Sequence, residues 1–116
     1  MQDDDTPLDL DELLANIGGD EQLADALLQR LEQDLPRRIA DLRRGLGTGD
    51  AEYVHAVSHP LKGALASVRA KQAQARAHTL DDAARQGDLD AARRALPALE
   101  EALERLRSEI AAWRAG

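Results

Sequence analysis

The sequence predicts an all-α fold, an antiparallel up-and-down four-helix bundle with a short N-terminal capping helix. Three observations predict it. Aromatic residues make up 2% of the 116 residues and there is no Phe, so the core falls to Leu, Ala, Val and Ile, which favours packed helices over a sheet. Apolar residues recur at steps of three and four along most of the chain. Gly and Asp cluster where those runs stop and restart, as they do at helix ends.

Residues 1–5 are acidic and expected to be disordered, which leaves 6–116 as one bundle domain. Thr6-Pro7 reads as an N-cap followed by Pro at the first helical position, where its missing N–H costs nothing. Leu8, Leu10, Leu13, Leu14 and Ile17 then make the short helix, and Gly18-Gly19 ends it. Asp20 caps a long second helix with Leu23, Leu27, Leu31, Leu35, Ile39, Leu42 and Leu46 as its stripe and a bend expected at Pro36. Residues 47–49 stop it and Asp50 caps the third, whose buried side carries Val54, Val57, Leu61, Leu65 and Val68. The fourth presents Ala70, Ala73, Ala77, Leu80 and Ala84, a narrow stripe that lets helices approach closely. Gly87-Asp88 restarts the chain into a last helix with Leu89, Leu96, Leu99, Leu103, Leu106, Ile110 and Trp113, its first turns disturbed by Pro97. No Gly or Pro lies between Gly63 and Gly87, so pattern alone leaves open whether the third and fourth helices are one.

Composition excludes several function classes. With 22 acidic against 15 basic side chains the net charge is -7, which argues against nucleic acid and against an anionic membrane surface. There is no Cys, hence no disulfide, thiolate metal site or thiol nucleophile. No apolar run approaches the roughly 20 residues of a membrane span, and no signal peptide is visible, so a cytoplasmic setting is expected.

The third helix breaks its own rules. Pro60 removes a backbone donor at a cost of about 3 kcal/mol, and Gly63 costs about 1 kcal/mol relative to Ala in a stretch otherwise rich in Ala. Rule-breaking of this kind marks functional sites. His59 lies about 200° around the helix from Leu61 at roughly 100° per residue, so it faces water when Leu61 faces the core. Lys62 and Gly63 follow at i+3 and i+4 and share its face. An exposed neutral imidazole is a competent nucleophile toward a phosphoryl group, an adjacent ammonium stabilises the arriving charge, and a bare glycine lets another protein approach.

The run His59-Pro60-Leu61-Lys62-Gly63 resembles the H-x-L-K-G motif of histidine-containing phosphotransfer (HPt) domains. The likeness extends to Leu-Asp-Leu-Asp-Glu-Leu-Leu followed by Gly-Gly-Asp20, to the Gly49-Asp50 turn, and to Ala83-Ala84-Arg85-Gln86-Gly87-Asp88. It implies a phosphohistidine relay between receiver-domain aspartates, with His59 as phosphoacceptor, Lys62 supporting the phosphoryl group and Gly63 admitting the receiver. It also implies a non-ATP-binding module with no cofactor of its own, Mg²⁺ sitting on the partner receiver. The likeness is greatest to the HPt module of a hybrid sensor histidine kinase, which would make it the cytoplasmic C-terminal domain of a membrane-bound protein; a free-standing protein is the other arrangement, and a monomer is expected in either. Where the family often has Gly after the motif, this chain has Arg69, and the family's Phe in the second helix is Leu31 here.

Hairpin geometry sets His59 level with residue 38 of the second helix, so Asp34, Leu35 and Arg38 are expected at the receiver-docking surface. Other readings of the residues are weaker. His55 and His59, at i and i+4 with Glu52 before them, lack a further ligand at a telling spacing, so no metal site is expected. His55 reads as a histidine beside the active face, and His78 as exposed. Ser58, Ser67 and Ser108 have no Asp–His arrangement in sequence, and Asp81-Asp82 and Glu100-Glu101 read as solvated faces. The dimerisation and phosphoacceptor domain of a sensor kinase shares His59, Leu61 and Lys62 but would need an acidic residue at Pro60 and a later Thr-Pro, and two long helices per chain rather than four. A structural helical adaptor without phosphotransfer is the third alternative.

Overall fold

The computed structural model describes residues 5–116, so the acidic start lies outside it except for Asp5. Five helices follow one another: α1 (Leu10–Asn16), α2 (Glu21–Thr48), α3 (Ala51–Ser67), α4 (Lys71–Arg85) and α5 (Leu89–Ala115). Four of the five N-termini are capped by aspartate. Asp9, Asp20, Asp50 and Asp88 each accept the N–H three residues on, at 3.0–3.1 Å. Each satisfies one of the orphan donors of its first turn, an interaction of about 1 kcal/mol.

The uncapped start of α4 explains where α1 begins. Its early donor Gln72 N–H bonds to the Thr6 carbonyl at 2.9 Å, and the Asp9 N–H bonds to the Arg69 carbonyl at 3.0 Å. Residues 6–9 are thereby held as a strap across the α3–α4 turn, and the helix starts at Leu10 with Asp9, not Thr6, as its cap. Leu8 and Leu13 bring this strap and helix into the core.

The four long helices close a ring of contacts: α2 packs against α3 and α5, and α4 packs against α3 and α5. Leu28, Leu42, Leu61, Leu65, Leu80, Leu99, Leu106 and Ile110 are fully buried between them. The stripes of α3, α4 and α5 are as the periodicity predicts. In the first half of α2 the stripe is displaced by one residue: Ala24 and Leu28 are buried, whereas Leu23 and Leu27 are 43% and 38% exposed. Successive steps of four drift by about 40° each around a helix of 3.6 residues per turn, so a row from residue 23 to 39 cannot hold one face. Pro36 and Pro97 lie inside unbroken helices, and α5 runs from Leu89 without a disturbed first turn.

The α2–α3 crossing is close because of Gly45. A Cβ there would stand 2.8 Å from both Tyr53 Cδ2 and Val54 Cγ2. The break between α3 and α4 falls at Val68–Ala70, with Arg69 in the left-handed region at φ 62°. The Ala70 N–H reaches back to the Leu65 carbonyl at 3.0 Å, closing the helix as a glycine cap would. Arg69 holds this conformation with its side chain, which donates to the Ala66 carbonyl at 2.8 Å and pairs with Glu12 at 2.9 Å. No helix among the described residues is long and apolar enough to cross a membrane.

Candidate functional site

His59 projects from α3 with its side chain 64% exposed. It borders an open groove walled by α3 and α4, in which Lys62 and Gly63 line one side and Lys71, Arg76, His78 and Thr79 the other. Among the described residues no carboxylate lines this groove, although its two lysines are paired from behind, Lys62 with Asp81 and Lys71 with Asp9 and Glu12. The three residues of the motif are thus brought together as the sequence indicates. Gly63 has a further property: a Cβ built there meets nothing within 4 Å. Its smallness relieves no internal crowding and leaves open space beside His59.

Behind the imidazole lies a residue that reads as solvated in the sequence but is buried. Asp81 of α4 has 1% of its side chain exposed and is the hub of the site. Its Oδ1 accepts hydrogen bonds from Ser58 Oγ and His55 Nδ1, each at 2.7 Å. Its Oδ2 accepts from Lys62 Nζ at 3.3 Å and stands 3.8 Å from His59 Nδ1. Burial alone would push the Asp81 carboxyl up, but the hydrogen bonds from Ser58, His55 and Lys62 outweigh it and hold the group below the usual carboxylate range. The carboxylate is therefore an anion inside the bundle, satisfied by three donors and adjacent to a fourth.

This arrangement changes three sequence readings. Ser58, His55 and Asp81 do meet, yet the hydroxyl donates to the carboxylate, not to an imidazole, and Ser58 is fully buried, so it is a support and not a nucleophile. His55 is half-exposed and packs tilted against His59, with ring centroids 5.4 Å apart. Glu52, which the sequence places with these histidines, is not in the cluster; His55, His59 and Asp81 form the group whose ligand atoms lie within 4.8 Å of one another. The residues Asp34, Leu35 and Arg38 are elsewhere. Leu35 is 2% exposed in the core and borders a different groove, between α2 and α5, with Pro36 and Glu100. Asp34 and Arg38 are partly exposed and face each other at 4.0 Å. The face of α3 carrying His55, His59 and Lys62 turns toward α4, where Asp81 meets it. Leu35 is thus buried away from the groove that His59 borders. His78 is exposed, as expected.

The sequence does carry one signal for Asp81 and Ser58 that their reading as a solvated face and an unpartnered serine leaves unused. Ala77, Leu80, Asp81 and Ala84 stand at i, i+3, i+4 and i+7, and Val54, Ser58, Leu61 and Leu65 at i, i+4, i+7 and i+11. Each polar residue occupies a position in the buried stripe of its helix.

No curated protein and no solved structure compared with the chain matches it. The family model of the Hpt domain matches residues 26–109, a stretch that holds the whole site and all of α3 and α4. A histidine phosphotransfer motif, an exposed imidazole at the motif's histidine and a match over most of the chain agree, and the chain belongs to the Hpt domain family, whose members carry phosphoryl groups in two-component phosphorelays and interact with receiver domains.

Proposed function

We propose that His59 accepts a phosphoryl group from a receiver-domain aspartyl phosphate and returns it to a second receiver, with Lys62 and Gly63 in the supporting roles. The observation that carries this reading is the exposed His59 ring with Nδ1 turned toward a buried carboxylate. A proton on Nδ1 is favoured there, which leaves the lone pair on Nε2. In the transfer, Nε2 attacks phosphorus, an N–P bond forms, the acyl-phosphate P–O bond breaks, and the receiver carboxylate leaves with the bonding pair. Positive charge grows on the imidazole as the N–P bond forms, and the Asp81 carboxylate offsets it. Lys62, held at Asp81, lies on the face where the phosphoryl oxygens arrive. The reverse sequence delivers the group to the next aspartate.

Receiver docking is assigned to the α3–α4 groove around Gly63, where the exposed Arg76 suits an acidic partner. The short turns and the ring of contacts support an antiparallel up-and-down bundle. The test is transfer from a phosphorylated receiver to the protein and to His59→Gln. Acid-labile phosphate is expected on the first and none on the second. Label on the variant, with unchanged helicity, would move the acceptor to another histidine.

A further inference from the structure

We propose that His55, His59 and Asp81 form a binding site for a divalent transition cation of the Zn²⁺ class, and that its occupancy silences the phosphoacceptor. The second half rests on His59 being that acceptor; the first does not.

The donor set is two imidazoles and one carboxylate, drawn from two helices, with ligand atoms within 4.8 Å of one another. Two of the separations are short: 2.7 Å from His55 Nδ1 to Asp81 Oδ1 and 3.8 Å from His59 Nδ1 to Asp81 Oδ2. Zinc bonds of about 2.0–2.1 Å place tetrahedral ligand atoms roughly 3.3 Å apart. Those two distances run to different oxygens of the carboxylate, and with one ligand atom from each residue the separations reach at most 4.8 Å, so closing the set asks for at most about 1.5 Å of movement from the solvent-accessible imidazoles. His55 and His59 are 40% and 64% exposed, and the ion can arrive from solvent. The carboxylate is fixed by Ser58, which donates to its Oδ1 at 2.7 Å. In this site the cation takes the place of the proton that His55 and Asp81 share.

The chemistry also selects. Imidazole nitrogen suits zinc, nickel and copper, whereas Mg²⁺ demands oxygen ligands and keeps its waters. A receiver's Mg²⁺ should therefore leave the site alone. Lys62 opposes the cation, since its ammonium sits 3.3 Å from Asp81 Oδ2. Its flexible stem lets it withdraw, at an electrostatic cost that a variant without the charge would not carry. A ring nitrogen engaged with the metal also ties His59 down beside a new positive charge, and the imidazole loses both nucleophilicity and freedom to meet phosphorus.

The test is calorimetric titration of the metal-free protein with Zn²⁺ in a buffer containing excess Mg²⁺, together with phosphorylation of His59 by phosphoramidate, which needs no receiver. One equivalent should bind. His55→Ala, a change at a half-exposed position, should weaken binding at least tenfold, and His78→Ala should not alter it. Lys62→Ala should tighten it several-fold. One equivalent of Zn²⁺ should slow phosphorylation of the wild type at least tenfold, reversed by chelator, with no such effect on His55→Ala. Absence of saturable binding, or equal affinity in His55→Ala, overturns the site. Full phosphorylation of the zinc-loaded protein overturns the silencing. Zinc binding with this ligand dependence, in a protein that takes no phosphoryl group even when metal-free, supports the site and fails the proposed function instead.

Discussion

Replacing Asp81 probes the hub directly. The wild-type carboxylate accepts two hydrogen bonds of 2.7 Å and one of 3.3 Å at a side chain 1% exposed. Hydrogen bonds to charged groups contribute about 1.5–3 kcal/mol each, but burying the anion offsets much of that sum. What remains after Asp81→Ala is Ser58 Oγ, wholly buried and left with only a long 3.5 Å bond to the His55 carbonyl, at a cost of about 1–3 kcal/mol, plus the cavity. The expected loss is about 3–4 kcal/mol for Ala. Asp81→Asn keeps the shape and one acceptor and should lose about half as much. Urea unfolding followed by circular dichroism measures both, with the midpoint falling and the slope unchanged. The pH dependence has a definite sign. The folded carboxyl is held below its ordinary value of 3.8, so its contribution is complete above that pH and is lost as pH falls through the lower folded-state value. The stability gap between wild type and Asp81→Asn should therefore be flat near neutrality and shrink below pH 3.8. Equal stability at pH 7, or a gap that widens in acid, would refute the account of Asp81 as a stabilised buried anion.

Gly63→Gln should leave the bundle as stable or up to about 1 kcal/mol more stable, because its side chain meets open space and a better helix former replaces Gly; receiver-dependent phosphorylation should fall at least tenfold while phosphoramidate still labels His59. Gly45→Ala should destabilise by about 1–3 kcal/mol in thermal or urea unfolding, since the new methyl collides with Tyr53 and Val54. Arg69→Ala keeps the left-handed backbone and loses the Glu12 pair, so Arg69→Gly should be the more stable of the two by about 1 kcal/mol on urea titration. Charge reversal at Arg76 should slow transfer from a receiver, and the same change at Arg38 should not, as quench-flow measurement of phosphohistidine would show.

The parts of the site that could be read from the sequence are those held by one helix. His59, Lys62 and Gly63 share a face through spacing alone, and α3 delivers them in that order whatever else packs around it. The hub could be read only by halves. Ser58 and Asp81 each stand at a buried position of their own stripe, but that they meet at 2.7 Å depends on the register of α3 against α4, which no local pattern encodes. Adjacent acidic residues invite the reading of a solvated face, and for Asp82, half-exposed next to its buried neighbour, that reading is right. The α3–α4 break was hidden for a related reason. It is made by Arg69 in a conformation that glycine usually supplies, held by Glu12 and the Ala66 carbonyl, one of which comes from a distant part of the chain.

Two helical glycines show how the remaining ambiguity is resolved. Gly45 and Gly63 carry the same helix penalty of about 1 kcal/mol. At Gly45 the compensation is inside the chain, because two side chains of α3 occupy the space a methyl would need. At Gly63, four residues from His59 and well within α3, no described residue beyond the glycine's own stretch of helix comes within 4 Å of that space. Gly47, which is equally open, lies in the last turn of α2, where helix propensity counts for little. An uncompensated glycine in mid-helix beside the exposed His59 ring is the feature expected if the compensation lies outside the molecule, in whatever approaches the imidazole. That separates a phosphotransfer surface from a structural adaptor on physical grounds: an adaptor would be better served by alanine at residue 63, and a surface that must admit a receiver's aspartyl phosphate would not.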